Sequence, residues 1–191
     1  MVLTRVPEPK RAACGILAFG SLIWEPRELE TLNKVGEVIC MTPWPVEFAR
    51  SSRSRHWAPT LVRFDQGTAV RARVFLYAND PETVRGTLAR REGIDLRTHP
   101  NTIQQCEIEG VRVNPVWYTA LGANIDDLRP ACLARLAIAS VKPCPERNGI
   151  RYLHMCVGLG ISTALTAAYA AEVLRVSRCD SLEEAEQWAA K

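Results

Sequence analysis

The sequence predicts one α+β domain built around a mixed sheet or small barrel, and three observations carry that prediction. Strand-like segments come first and helical ones later, with one well-marked helix interrupting the strands; a doubly wound fold would alternate the two throughout. The composition suits a single hydrophobic core, since of 191 residues 47% are hydrophobic and 24% charged, the ordinary globular balance. No internal repeat or low-complexity tract divides the chain, so residues 1–13 read as a flexible lead-in and 14–191 as one domain with a helical C-terminal part.

Each element has its own signal. The stretch 14–19 is a short apolar run of the kind buried strands carry, broken by Gly20 and Ser21. Pro26 suits the first position of a short helix through Leu29 and Leu32. From 35 to 77 the pattern is β, with strands predicted over 37–41, 46–50, 60–64 and 69–77. The last alternates Val70, Ala72 and Val74 on one face with Arg71 and Arg73 on the other. Asp65-Gln66-Gly67 reads as a hairpin turn. Asp80-Pro81-Glu82 opens a helix: Asp80 caps, Pro81 fits the first turn and Glu82 favours the positive end. Val84 and Leu88 are its buried stripe, and Gly93 is placed to stop it, which leaves Glu92 in the last turn. Residues 106–122 return to β through Val111, Val113 and Val116-Trp117-Tyr118. Helices follow from Asp126 or Asp127 (Leu128, Cys132, Leu136, Ser140), from Asn148 (Ile150, Leu153, Val157, ending near Gly158 or Gly160), over 163–176, and from the capping box Ser181-Leu182-Glu183-Glu184.

Charge and cysteine content narrow the class of protein. A formal net charge of +3 is too small to demand a nucleic-acid or membrane partner. Most of the positive charge is Arg, which suits bidentate contacts to an acidic small molecule as well as a solvated surface. Seven cysteines, scattered and without a C-x-x-C pair, point to free thiols in a reducing compartment, hence a soluble cytoplasmic protein. The N-terminus carries Arg5, Glu8 and Lys10 but no apolar signal region. The run 14–24 is about half a membrane span and is broken by Gly20, so no membrane association is expected.

Three constellations carry potential chemistry. The first is Leu17-Ala18-Phe19-Gly20-Ser21-Leu22-Ile23-Trp24, in which Gly20 permits a sharp turn after a strand and successive N–H groups can cradle an anion. For an isolated Gly-Ser a structural strand-to-helix turn is the plainer reading. Phe19 and Ile23 do not complete G-x-S-x-G, so Ser21 is a weak nucleophile candidate. The second is Arg90-Arg91-Glu92-Gly93. A carboxylate at the negative end of a helix, in a pocket, is disfavoured in its charged form, as a general base near neutrality requires, while neighbouring Arg residues oppose this. A surface ion pair is the plainer reading. The third is the basic, aromatic stretch 48–57, either a substrate-gating loop or a solvated hairpin; it makes too few phosphate contacts for nucleic-acid binding. The three histidines stand apart, His154 reading as a packed helix residue. With no Walker loop and no G-x-G-x-x-G, no metal or cofactor is expected.

The stretch Ala18-Phe19-Gly20-Ser21-Leu22-Ile23-Trp24 resembles the Y/F-G-S-L/N substrate loop of the γ-glutamylcyclotransferase-like family, and Phe-Gly-Ser-Leu-Ile-Trp-x-Pro looks closest to its ChaC-type, glutathione-degrading branch. Arg91-Glu92 stands about seventy residues on, near a helix end, where that family keeps its catalytic Glu. Asn148-Gly149-Ile150-Arg151-Tyr152-Leu153 resembles the branch's tail. Arg90 replaces the first Tyr of the branch's Y-R-E, and no Tyr follows before Tyr118.

The resemblance implies a small mixed β-barrel with flanking helices, and cofactor-free cyclisation of a γ-glutamyl group to 5-oxoproline with release of an amine or peptide, glutathione included. It makes Glu92 the catalytic base and Phe19, Gly20, Ser21 and Leu22 the substrate loop. Arg50 or Arg55 is expected to meet a substrate carboxylate, and Trp117 and Tyr118 to form either pocket wall or plain core. A hydrolase or acyltransferase using the same pocket, or a non-catalytic small-molecule binder, are the alternatives.

Overall fold

The computed structural model describes residues 11–191. Most of the expected lead-in, residues 1–10, lies outside the described residues; at its end Ala13 already donates its N–H to the Tyr77 carbonyl at 2.8 Å. The chain is a mixed α+β fold. Its strands are β1 (Cys14–Ala18), β2 (Lys34–Met41), β3 (Val46–Ser52), β4 (Ala58–Arg63), β5 (Arg71–Tyr77), β6 (Ile103–Cys106) and β7 (Val116–Thr119). Its helices are α1 (Pro81–Glu92), α2 (Pro130–Ala139), α3 (Gly149–Gly158), α4 (Thr166–Ser177) and α5 (Leu182–Ala190). Short 3-10 turns fill Gly20–Leu22, Arg27–Thr31 and Arg53–Arg55.

A five-stranded sheet runs β2-β5-β1-β7-β6, and β3-β4 form a two-stranded ribbon. β1 pairs parallel with β7 and antiparallel with β5, which makes the sheet mixed. The apolar run at 14–18 is the consequence of that central place, since every one of its residues is buried. Cys14, Ile16 and Ala18 share a core with Val84 and Leu88 of α1; Leu17 faces the opposite core with Ala72, Val74 and Val116. Helices α2–α5 pack together on the ribbon, around Val46, Phe48 and Leu61.

α1 forms for the reasons its sequence states. The Asp80 carboxylate accepts the N–H groups of Glu82 and Thr83, both at 3.0 Å, and Gly93 ends the helix at φ +67°. Val84 and Leu88 are fully buried, each contributing about 1.5–3 kcal/mol. Asn148 caps α3 by accepting the Arg151 N–H at 2.8 Å. Ser181 caps α5, and the return bond from Glu184 goes to the Asp180 N–H.

Elsewhere tertiary structure overrides the local pattern. Asp65-Gln66-Gly67 turns the chain but makes no hairpin, because β4 pairs with β3 while β5 joins the large sheet. β6 begins at Ile103, and Val111 and Val113 lie in the loop before β7. α2 starts at Pro130, not at Asp126 or Asp127; the Asp127 carboxylate is taken by the Arg129 guanidinium at 2.6 Å, and the buried stripe is Leu133, Ala134 and Ala137. Asp127 is held down to about 2 by its hydrogen bond from Arg129. α4 begins at Thr166, because Thr163 is drawn to the buried Glu47 by a 2.5 Å hydrogen bond. His154 and Val157 are exposed, off the Ile150–Leu153–Cys156 stripe. No helix among the described residues is long and apolar enough to cross a membrane.

Candidate functional site

Where β1 ends, Phe19 leads into Gly20 at φ +66°. A Cβ at Gly20 would lie 2.2 Å from Tyr152 Oη, so both the backbone and the packing require glycine here. The turn Gly20–Leu22 that follows has opening N–H groups without intrahelical partners. Tyr152 projects from α3, and its hydroxyl accepts the Leu61 N–H at 3.2 Å, which ties helix, ribbon and turn at one point. Burial pushes its ionisation well above the ordinary tyrosine range, so it remains a neutral phenol.

The last turn of α1 arrives beside this turn. The side chains of Arg91 and Glu92 are only 5% and 18% exposed. Arg91 Nη1 donates to Glu92 Oε1 at 2.6 Å, while Nη2 reaches Ser21 Oγ at 3.3 Å and the Glu25 carbonyl at 2.8 Å. One guanidinium thus fixes the carboxylate, the serine hydroxyl and the loop backbone relative to one another.

The opposite wall is an ionic cluster. Glu25 Oε2 accepts from Arg55 Nη2 at 3.1 Å and Arg147 Nε at 3.0 Å. Arg55 is 3% exposed, stands 5.0 Å over the Tyr152 ring and donates to the Arg147 carbonyl at 3.1 Å. Burial lowers its ionisation and outweighs the opposing pull of Tyr152 and Glu25. Arg55 turns inward onto these partners, and the chain after it reverses through left-handed His56 and Trp57, φ +49° and +65°. Arg53 stays outside, 5.5 Å over the Trp57 ring, so the basic loop is neither a uniform solvated hairpin nor a continuous basic patch.

These parts enclose a cavity of about 110 Å³. Phe19, Ser21, Leu22, Arg55 and Glu92 all line it, together with Arg50, Arg91, Arg147 and Tyr152. Gly20 lies behind Ser21 against Tyr152. Tyr118 is not brought to this cavity. Thr119 of β7 lines it, whereas Tyr118 lines a neighbouring cavity, where the phenol donates to Gln104 Oε1 at 2.8 Å and the ring meets Trp44 at a 44° tilt with centroids 4.2 Å apart. Trp117 is core, buried against α1. No group of three His, Cys, Asp or Glu side chains among the described residues is placed to hold a metal ion.

No protein-family model matches the chain, and no curated protein sequence does either.

The cavity has a definite chemical character. It sets four arginines against one carboxylate, Glu92, with the Glu25 carboxylate engaged behind the wall. Positive side chains therefore outnumber negative ones along its lining, and one carboxylate faces the same space. Sequence reasoning had no signal for Glu25, Arg147 or the buried state of Arg55, which meet only through folding. Tyr152 had two signals, its place in the stretch that resembles the ChaC-type tail and its position four residues after the Asn148 cap on the buried side of α3.

Proposed function

We propose that this cavity catalyses intramolecular aminolysis of a γ-glutamyl group, the reaction of the γ-glutamylcyclotransferase-like enzymes whose substrate loop and Glu these residues resemble. The supporting observation is that Glu92 and the 19–22 loop, separated by about seventy residues, line one small pocket and are bridged by Arg91.

The α-carboxylate of the γ-glutamyl group faces the Arg55–Arg147 wall, and its α-ammonium faces Glu92. Glu92 accepts a proton from the ammonium, and the freed nitrogen attacks the γ-carbonyl carbon to close the five-membered lactam. Both reacting groups belong to one molecule, so the pocket's task is to fold it into the cyclising pose. The Tyr152 hydroxyl, which accepts from Leu61 and retains its own proton, and the opening N–H groups of the Gly20–Leu22 turn steady the developing oxyanion. The bond from the γ-carbon to the leaving nitrogen then breaks, and Glu92 returns the proton to that nitrogen. The products are 5-oxoproline and a free amine or peptide; no water is consumed and the step balances without a cofactor.

The same reading makes sheet and ribbon one small mixed barrel. Two contacts support it: Asn124 and Ile125, beyond β7, both donate to the Ala49 carbonyl of β3 at 3.0 and 3.1 Å, and Val46 and Thr68 exchange backbone bonds at 2.9 and 3.1 Å. The seven cysteines are all free thiols, which suits a reducing cytoplasm and a small-molecule substrate there.

The test is 5-oxoproline release from glutathione, γ-glutamyl dipeptides and γ-glutamyl amines, with Glu92→Gln as control. Release by the wild type alone supports the proposal. No release across the panel, with ligand binding retained, would turn the reading to a small-molecule binding protein.

A further inference from the structure

A second, wider cavity of about 540 Å³ adjoins the first, and Leu121 lines both. The border is built by the next residue. Gly122 lines the wider cavity, and its carbonyl accepts Arg50 Nη1 at 2.7 Å, while Arg50 itself lines the first cavity. Arg63 lines the wider cavity and stands 5.6 Å over Trp44, whose ring in turn lies tilted against Tyr118 of the same cavity wall.

The arginines of the two cavities differ in what they touch. Arg55, Arg91 and Arg147 each hold a carboxylate of this chain. Arg50 and Arg63 make no ion pair among the described residues, although Asp65 lines the same wider cavity as Arg63. A guanidinium at a cavity wall that holds no carboxylate of its own chain, and has donors to spare, is a site for a planar carboxylate.

We propose that the wider cavity is the leaving-group subsite and that Arg50, assisted by Arg63, makes it selective for a leaving amine bearing a carboxylate: a γ-glutamyl amino acid or peptide rather than a simple γ-glutamyl amine. This rests on the cyclotransferase reading of the first cavity. The γ-glutamyl end fills the smaller cavity, the scissile bond lies toward Leu121, and the leaving group extends past Arg50. Tyr118, which does not line the smaller cavity, here walls the leaving-group side.

The experiment is equilibrium binding of γ-glutamylalanine and γ-glutamylethylamine, which differ by one carboxylate, to the Glu92→Gln protein. The carboxylate-bearing ligand is expected to bind about tenfold tighter or better, the scale of a charge-assisted pair. Adding Arg50→Gln is expected to bring the two affinities to within about threefold of each other, Arg50→Lys to restore part of the gap, and the exposed Arg63→Gln to narrow it partially. Equal affinities for the two ligands in the Glu92→Gln protein would overturn the subsite, as would an unchanged gap with Arg50→Gln in place. Binding of neither ligand would overturn the subsite together with the reading beneath it. A carboxylate preference without 5-oxoproline release from the wild type would uphold the subsite and overturn the cyclisation alone.

Discussion

The two walls of the smaller cavity are built on different physics. One wall, the Gly20–Leu22 turn and the last turn of α1, comes from local rules: a buried strand stopped at a glycine, and a helix capped at Asp80 and ended at Gly93. The other, Glu25 with Arg55, Arg147 and Tyr152, joins residues up to 127 positions apart through buried charge and one aromatic ring. The difference teaches that Glu92, the base of the proposed reaction, sits on the wall that local structure positions, whereas the Arg55–Arg147 charge proposed to hold the substrate sits on the wall that only tertiary structure assembles. Arg91 and Tyr152 are the links between them.

The largest expected effect is on the chemical wall. Glu92→Gln is expected to reduce 5-oxoproline release by about 10²–10⁴-fold, the usual range for a general base, and to cost about 2–3 kcal/mol in urea unfolding, because Arg91 is left buried without its carboxylate. Steady-state rates and urea unfolding check the two halves; retained activity would break the assignment of the base to this wall.

Gly20→Ala probes the contact between the walls. The substitution forces a side chain into the left-handed region, at about 1–2 kcal/mol, and drives it onto the Tyr152 hydroxyl, for about 1–3 kcal/mol more. A loss of about 2–5 kcal/mol in urea unfolding is expected, and a smaller loss would mean that the turn and α3 move apart freely.

Glu25→Gln probes the selecting wall alone. It leaves Arg55 buried without its carboxylate, and because Glu25 is 20% exposed the cost falls below that of a fully buried pair, at about 2–3 kcal/mol. Its KM for γ-glutamyl substrates is expected to rise more than its kcat falls. The opposite split would place the cluster with the chemistry.

Ser21→Ala is the mildest. Ser21 takes one hydrogen bond from Arg91 at 3.3 Å, so activity is expected to fall by about threefold to tenfold, the loss of one such bond. Complete loss, with an acyl adduct in the wild type, would make Ser21 a nucleophile.

This division also marks what was legible in the sequence. β1, α1, the caps of α3 and α5, and the turn at Gly20 follow from apolar runs, capping residues and glycine placement, and they deliver Glu92 and residues 19–22. The start of α2 was misplaced because Asp127, a good cap by type, is drawn away by its neighbour Arg129. The Asp65-Gln66-Gly67 turn was legible as a turn, but the chain's exchange from ribbon to sheet there has no local signature. Arg55 looked like its exposed neighbours Arg53 and His56, since nothing in the loop announces a partner thirty residues earlier in Glu25. Tyr118 lies on the expected strand but lines the wider cavity, and which β7 residue reaches which cavity depends on tertiary packing that the strand pattern does not announce.

The most direct test of the central claim is the product ratio from one γ-glutamyl amino acid. The account predicts 5-oxoproline and free amino acid in equal amounts, with no glutamate, and neither product from Glu92→Gln. Glutamate in place of 5-oxoproline would show that water, not the substrate's own amine, attacks in this pocket, and would contradict the cyclotransferase account.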